Sequence, residues 1–153
     1  MRQAGAFNRD WPIVLAIILL AAALRFPALG QPPPGLYQDE AWNGLDALQV
    51  LQGARPLYFA ANNGREPLFI YLVALAVGAL GPSPAAIRLV AAVLGTLTIL
   101  ATYILGRTWF NQRVGWLAAA ILAITFWHVH LSRIGFRAVA LPLFTALALA
   151  AAW

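Results

Sequence analysis

From Ile13 to Leu24 the chain carries no polar side chain, and apolar blocks of this kind recur along its whole length. They lie at residues 11–29, 67–80, 85–106 and 114–131, and from Ala138 to Trp153. Apolar residues make up 62% of the 153 and charged residues 10%, with a mean hydropathy of +0.77. A soluble domain carries roughly 25% charged residues. A water-soluble globule of this size buries only about 70% of its chain surface, too little to hide so much apolar side chain. The same composition excludes disorder. The class that remains is an all-α, polytopic integral membrane protein.

Block length separates spanning from interfacial segments. Residues 11–29, 85–106 and 114–134 are long enough to cross a bilayer. The block at 139–153 reads as a further span cut off at Trp153, so the chain is expected to be an N-terminal fragment. The first block also has the length of a signal-peptide core, with Ala21-Ala22-Ala23 as a cleavage-like run; the apolar blocks that follow favour an uncleaved helix. Residues 67–80 form an apolar run of the length more common in interfacial or re-entrant helices. The loop 30–84 opens with Pro32-Pro33-Pro34-Gly35 and holds every acid except Asp10. Within it, residues 39–52 read as an amphipathic interfacial helix, with Trp42, Leu45, Leu48 and Leu51 on one side and Asp39, Asn43, Asp46 and Gln49 on the other. Gly53 can end that helix, and Asn62-Asn63-Gly64 is a turn signal.

All ten basic residues are arginine, the formal charge is +5, and cysteine is absent. The arginines stand singly between apolar blocks. That pattern carries membrane topology rather than nucleic-acid binding. Arg2 and Arg9 before the first span place the N-terminus in the cytoplasm. If 67–80 spans, Arg107 and Arg113 face outside. If it lies at the interface, they face the cytoplasm, and His128 to Arg137 join Asp39 and Glu66 outside. The positive-inside rule favours the second arrangement. Arg25 and Arg88 read as snorkelling or interfacial anchors.

Chemistry concentrates at three places. Asp39-Glu40 follows the first membrane exit. It suits helix capping, with Asp39 as N-cap, and equally a general base or metal ligand. Glu66-Pro67 opens the second short helix, where Glu66 can cap or can face Asp39 as a second carboxylate. Arg133 and Arg137, spaced i and i+4, are expected on one helix face with His130. Their mutual repulsion would be relieved by an anionic partner such as a phosphate, or by lipid headgroups. His128 and His130 diverge on a helix and make a poor zinc pair. No glycine-rich phosphate loop or nucleotide fingerprint is present, which argues against a nucleotide-sugar or ATP enzyme.

The ordered set Tyr37-Gln38-Asp39-Glu40-Ala41, Gly64-Arg65-Glu66-Pro67-Leu68 and Phe126-Trp127-His128-Val129-His130-Leu131-Ser132-Arg133-Ile134-Gly135-Phe136-Arg137 resembles the N-terminal part of a C-type (GT-C) membrane glycosyltransferase. The branch is the protein O-mannosyltransferase and aminoarabinose-transferase-like group, glycosyltransferase family 39. The resemblance implies transfer of a sugar from a polyprenyl-phosphate donor to a lipid, glycan or protein acceptor on the extracytoplasmic face of the cell membrane. It implies two juxtamembrane helices in the first external loop. It puts Asp39, with Glu40 beside it, at the catalytic centre. Glu66, His130, Arg133 and Arg137 are then expected to bind substrate, and Asp39 and Glu66 to hold a divalent cation if one takes part. A non-catalytic membrane module, such as a transporter fragment or assembly subunit, is the rival reading, and it leaves the gathering of acids and arginines on one side unexplained.

Overall fold

The structure, a computed structural model, describes residues 4–31 and 34–153, with side chains from Trp11 onward. The expectations placed on Arg2, on the Arg9 side chain and on Pro32-Pro33 lie outside the described residues. Among the described residues seven α-helices follow one another: α1 Ala4–Arg25, α2 Gln38–Leu51, α3 Pro67–Leu80, α4 Pro84–Trp109, α5 Gln112–Ile124, α6 Phe126–Arg133 and α7 Ala140–Ala151. A 3-10 turn, Arg137–Val139, leads into α7. Among the described residues the extended pairing is one isolated bridge, Phe59 with Arg65.

Helix α4 is the axis of the bundle and touches every other helix. Its 26 residues span about 39 Å at 1.5 Å per residue, more than the ~30 Å hydrocarbon layer. Ser83 caps its start by accepting from the Ala86 N–H at 3.2 Å, and Pro84 takes the first turn, where a missing N–H costs nothing. One core cluster joins α2, α3, α4 and α7 through Ala47, Phe69, Ile70, Val73, Ala91 and Leu143. A second joins α1, α4 and α5 through Val14, Ala21, Ile99, Tyr103 and Ala119. Helices α4 and α5 cross at a glycine pair: a Cβ on Gly106 would lie 2.9 Å from the Gly115 Cα, so only glycine permits this approach.

Among the described residues, α4 is the one single helix long and apolar enough to span. The expected span 114–134 is broken: α5 and α6 meet at 59° across Thr125, and together they would make a second span. The Thr125 hydroxyl donates to the Ile121 carbonyl at 2.7 Å, its N–H reaches back to Leu122, and α6 starts afresh. The first helix stops at Arg25 rather than at 29, because Pro27 cannot continue it and turns follow. Its described apolar part, Trp11–Arg25, and the apolar stretches Pro67–Leu80 and Arg137–Ala151 are shorter.

The two short helices of the loop form where expected, but α2 is turned inside out. Asn43, Asp46 and Glu40 are buried, while Trp42, Leu45 and Leu51 are exposed. The polar side faces inward because it finds partners there: Arg65 just before α3, Arg88 of α4 and Gly135 after α6.

Candidate active site

Asp39 lies in the first turn of α2, whose N-cap is Tyr37, so Asp39 is not the cap. The capping contact comes instead from Glu40, whose Oε2 accepts the Tyr37 N–H at 2.8 Å. Asp39 turns outward, half-buried, and its Oδ1 accepts the Asn62 Nδ2 at 2.7 Å. Asn62, Asn63 and Gly64 take three successive left-handed conformations, with φ of 52°, 67° and 77°. Asn and Gly tolerate that region best. The reversal is clipped by Phe59 N–H to Arg65 O at 3.1 Å and Arg65 N–H to Phe59 O at 2.8 Å, and it delivers the Asn62 amide to Asp39.

Glu66 is the N-cap residue of α3, with Pro67 at the first helical position, but its side chain makes no capping bond. Its carboxylate meets Arg137 instead, as a partly exposed ion pair. Asp39, Asn62, Asn63, Glu66 and Arg137 line one cavity of about 600 Å³, whose apolar wall comes from Leu68, Phe69, Phe136, Leu141 and Phe144.

Glu40, expected beside Asp39 as a catalytic group, points the other way and is buried. Its Oε1 takes the Arg88 Nε at 2.7 Å and the Gly135 N–H at 2.7 Å; its Oε2 also takes the Arg88 Nη2 at 3.1 Å. Burial alone would raise the Glu40 carboxyl. The Arg88 hydrogen bonds, the Gly135 and Tyr37 N–H groups and the Arg88 charge outweigh it and hold the group below the ordinary range. Arg88, expected as an interfacial anchor, is buried and also donates to Leu29 O and Gly35 O. Gly135 must be glycine here: a Cβ would fall 2.6 Å from Ile87 Cγ2 and 3.2 Å from Glu40 Cγ.

A second buried set lies beside the first. Arg65 pairs with Asp46, donates from Nη1 to Asn43 Oδ1 at 2.8 Å and from Nε to Ala61 O at 3.2 Å. Asn43 Nδ2 donates to Gly135 O at 3.0 Å.

Arg133 and Arg137 do not share a helix face. Helix α6 ends at Arg133, and Ile134 and Phe136 are extended, so the chain turns between the two arginines. Arg133 donates to the carbonyls of Leu24, Arg25 and Pro27, closing the C-terminal end of α1. Its guanidinium serves the groups that a helix end leaves unpaired, not the cavity. His130 is exposed and stacks on Phe126 with centroids 5.8 Å apart, away from the cavity lining. Arg25, expected to snorkel, is fully buried; it donates to Ala21 O and Ala123 O, both at 3.0 Å, and meets His128 Nδ1 at 2.9 Å. The two histidines do diverge, as their spacing requires.

The cavity thus gathers three of the expected residues, Asp39, Glu66 and Arg137, with two residues of the Asn62-Asn63-Gly64 turn, Asn62 and Asn63. A carboxylate oriented by an amide can take a proton, and an arginine on the opposite wall can meet an anion. Among the described residues no group of three or more His, Asp or Glu could hold a metal ion. Asp39 and Glu66 are the two carboxylates at the cavity, each on a neighbour.

No curated protein and no solved structure matches the chain. The family model described as dolichyl-phosphate-mannose-protein mannosyltransferase matches residues 64–153, more than half of the sequence. The match includes the Arg65-Glu66-Pro67 turn, α4 and the segment carrying Arg137, and excludes Asp39. Members of that family are membrane glycosyltransferases, and the apolar α4 lies wholly within the matched residues. The chain belongs to the dolichyl-phosphate-mannose-protein mannosyltransferase family.

Proposed function

We propose that the chain supplies the catalytic end of a GT-C glycosyltransferase that moves a sugar from a polyprenyl-phosphate carrier to an acceptor hydroxyl on the extracytoplasmic face. The carrying observation is the convergence of Asp39, Glu66 and Arg137 on one cavity with an apolar wall. Polar groups meet the sugar phosphate, and Leu68, Leu141 and Phe144 meet the isoprenoid. Asp39 accepts the proton of the acceptor hydroxyl, whose oxygen attacks the anomeric carbon with inversion while the bond to the carrier phosphate breaks. Arg137 stabilises the charge that develops on the leaving phosphate. Glu66 holds Arg137 in reach before the donor arrives. Asp39 and Glu66 would hold a divalent cation only together with phosphate oxygens, as magnesium commonly binds, and the cation would supply further charge neutralisation there.

The test is turnover by the full-length protein with polyprenyl-phosphate mannose and a serine-containing peptide. Asp39→Asn keeps the shape and loses the base, so the rate falls at least ~100-fold while the protein stays folded. Near-normal turnover by Asp39→Asn overturns the assignment.

A further inference from the structure

Each charged residue at the cavity is a near neighbour in sequence of a residue in the buried polar sets. Asp39 precedes Glu40, Glu66 follows Arg65, and Arg137 lies two positions after Gly135. Asn43 joins two of these anchors. It is fully buried, its Oδ1 accepts from Arg65 Nη1 at 2.8 Å and its Nδ2 donates to Gly135 O at 3.0 Å. We infer that Asn43 is a positioning residue that sets the spacing of Glu66 and Arg137 across the cavity, an inference that rests on the reading above.

The chemistry of the link selects the side chain. One end must accept from a guanidinium and the other must donate to a carbonyl. A carboxamide does both from two separate atoms of a single planar group; a carboxylate cannot donate, and a serine hydroxyl has one oxygen on a shorter side chain to serve both partners. The anchors have other partners as well. Arg65 keeps Asp46, and the Gly135 N–H keeps Glu40. Loss of the Asn43 amide therefore loosens the spacing between the two segments, while the Arg65–Asp46 pair and the Gly135–Glu40 hydrogen bond still hold each of them to α2. A shift of about 1 Å at a reacting centre can cost roughly 100-fold in rate.

The test is a double-mutant cycle in the full-length protein, with polyprenyl-phosphate mannose and a serine peptide as probes. Asn43→Asp keeps the acceptor for Arg65 and loses the donor to Gly135. It is expected to lower kcat/KM about tenfold or more in the wild-type background. In an Arg137→Gln background the same change is expected to cost less than about threefold, because the group it positions has gone. Equal losses in both backgrounds mean that Asn43 acts on the fold alone and overturn the inference. So does a folded Asn43→Asp protein with wild-type kcat/KM. If Asn43→Asp does not fold, Asn43→Ser, with one hydroxyl for two partners, carries the same cycle with the same expected outcomes. Wild-type turnover by Arg137→Gln alone overturns the reading of the cavity and the inference with it, whereas a large Arg137→Gln loss with additive Asn43 effects overturns only the inference.

Discussion

Arg133 and Arg137 stand four positions apart and meet opposite kinds of partner. The first donates to three backbone carbonyls of the α1 end, the second pairs with Glu66 at the cavity. Arg137→Gln is therefore expected to weaken binding of polyprenyl-phosphate mannose about tenfold or more, since a charge-assisted contact contributes roughly 1.5–3 kcal/mol. Arg133→Gln is expected to leave donor affinity unchanged and to lower Tm by loosening α1 from α6; equal loss of affinity in both variants would refute the division. Glu40 belongs to the structural class too. Its folded carboxyl lies below the ordinary range because Arg88 and two N–H groups favour the charged form over the cost of burial. A depressed folded pKa gives stability that is complete above the unfolded value and is lost as pH falls through the folded one. Acidification below about pH 4 should thus lower Tm, and Glu40→Gln should make that fall shallower. The same change leaves Arg88 buried without its carboxylate, at a cost of about 3–5 kcal/mol at neutral pH. A Tm–pH profile of the two proteins checks both statements.

At the scale of elements, much of the helix pattern was legible from local chemistry. Pro67 and Pro84 mark the starts of α3 and α4, Gly53 and Gly81 follow the ends of α2 and α3, and the Asn62-Asn63-Gly64 reversal is where the left-handed formers stand. The helix break at Thr125 was not legible, because no proline or glycine interrupts the apolar run there. Nor was the orientation of α2. Periodicity finds a polar and an apolar side, but cannot tell which faces protein when the surroundings are lipid and when buried arginines wait as partners. Asp46, placed by its periodicity on the outer polar side, is in fact on Arg65 in the interior. The cavity residues Asp39, Glu66 and Arg137 could be found because each sits at an element end. Asn43 and Arg88 could not, since their partners are remote in sequence. Asp46→Ala is accordingly expected to cost about 3–5 kcal/mol by stranding Arg65. Leu45→Ala, on the exposed side, should cost less than about 1 kcal/mol. Thermal unfolding in detergent ranks the two, and the reverse order would contradict the buried orientation of the polar side.

Charged groups stand toward both ends of α4. Arg88 and the cavity residues lie toward the start of that helix. Arg107, nineteen positions on, is about 28 Å further along at 1.5 Å per residue, with Arg113 just beyond in α5. Trp109, at the far end of α4, donates to the Leu149 carbonyl near the end of α7, so α7 runs in the same direction as α4 and leaves the cavity end behind. Helix α3, at 14 residues, covers only about 21 Å and does not match the ~30 Å hydrocarbon layer. An orientation that keeps α3 at the interface puts Asp39, Glu66 and Arg137 on the extracytoplasmic side and Arg107 and Arg113 in the cytoplasm, in keeping with the positive-inside rule. The sequence has no cysteine, so single cysteines at Gln38, Asn63 and Gln112 report position without background from this region. In intact cells an impermeant maleimide is expected to label Gln38→Cys and Asn63→Cys but not Gln112→Cys, which should react only after permeabilisation. Labelling of all three in intact cells would mean that α3 crosses the bilayer despite its length, and labelling of Gln112→Cys alone would invert the molecule. Either result would place a polyprenyl-phosphate donor and the Asp39 carboxylate in a different relation from the one that the cavity requires.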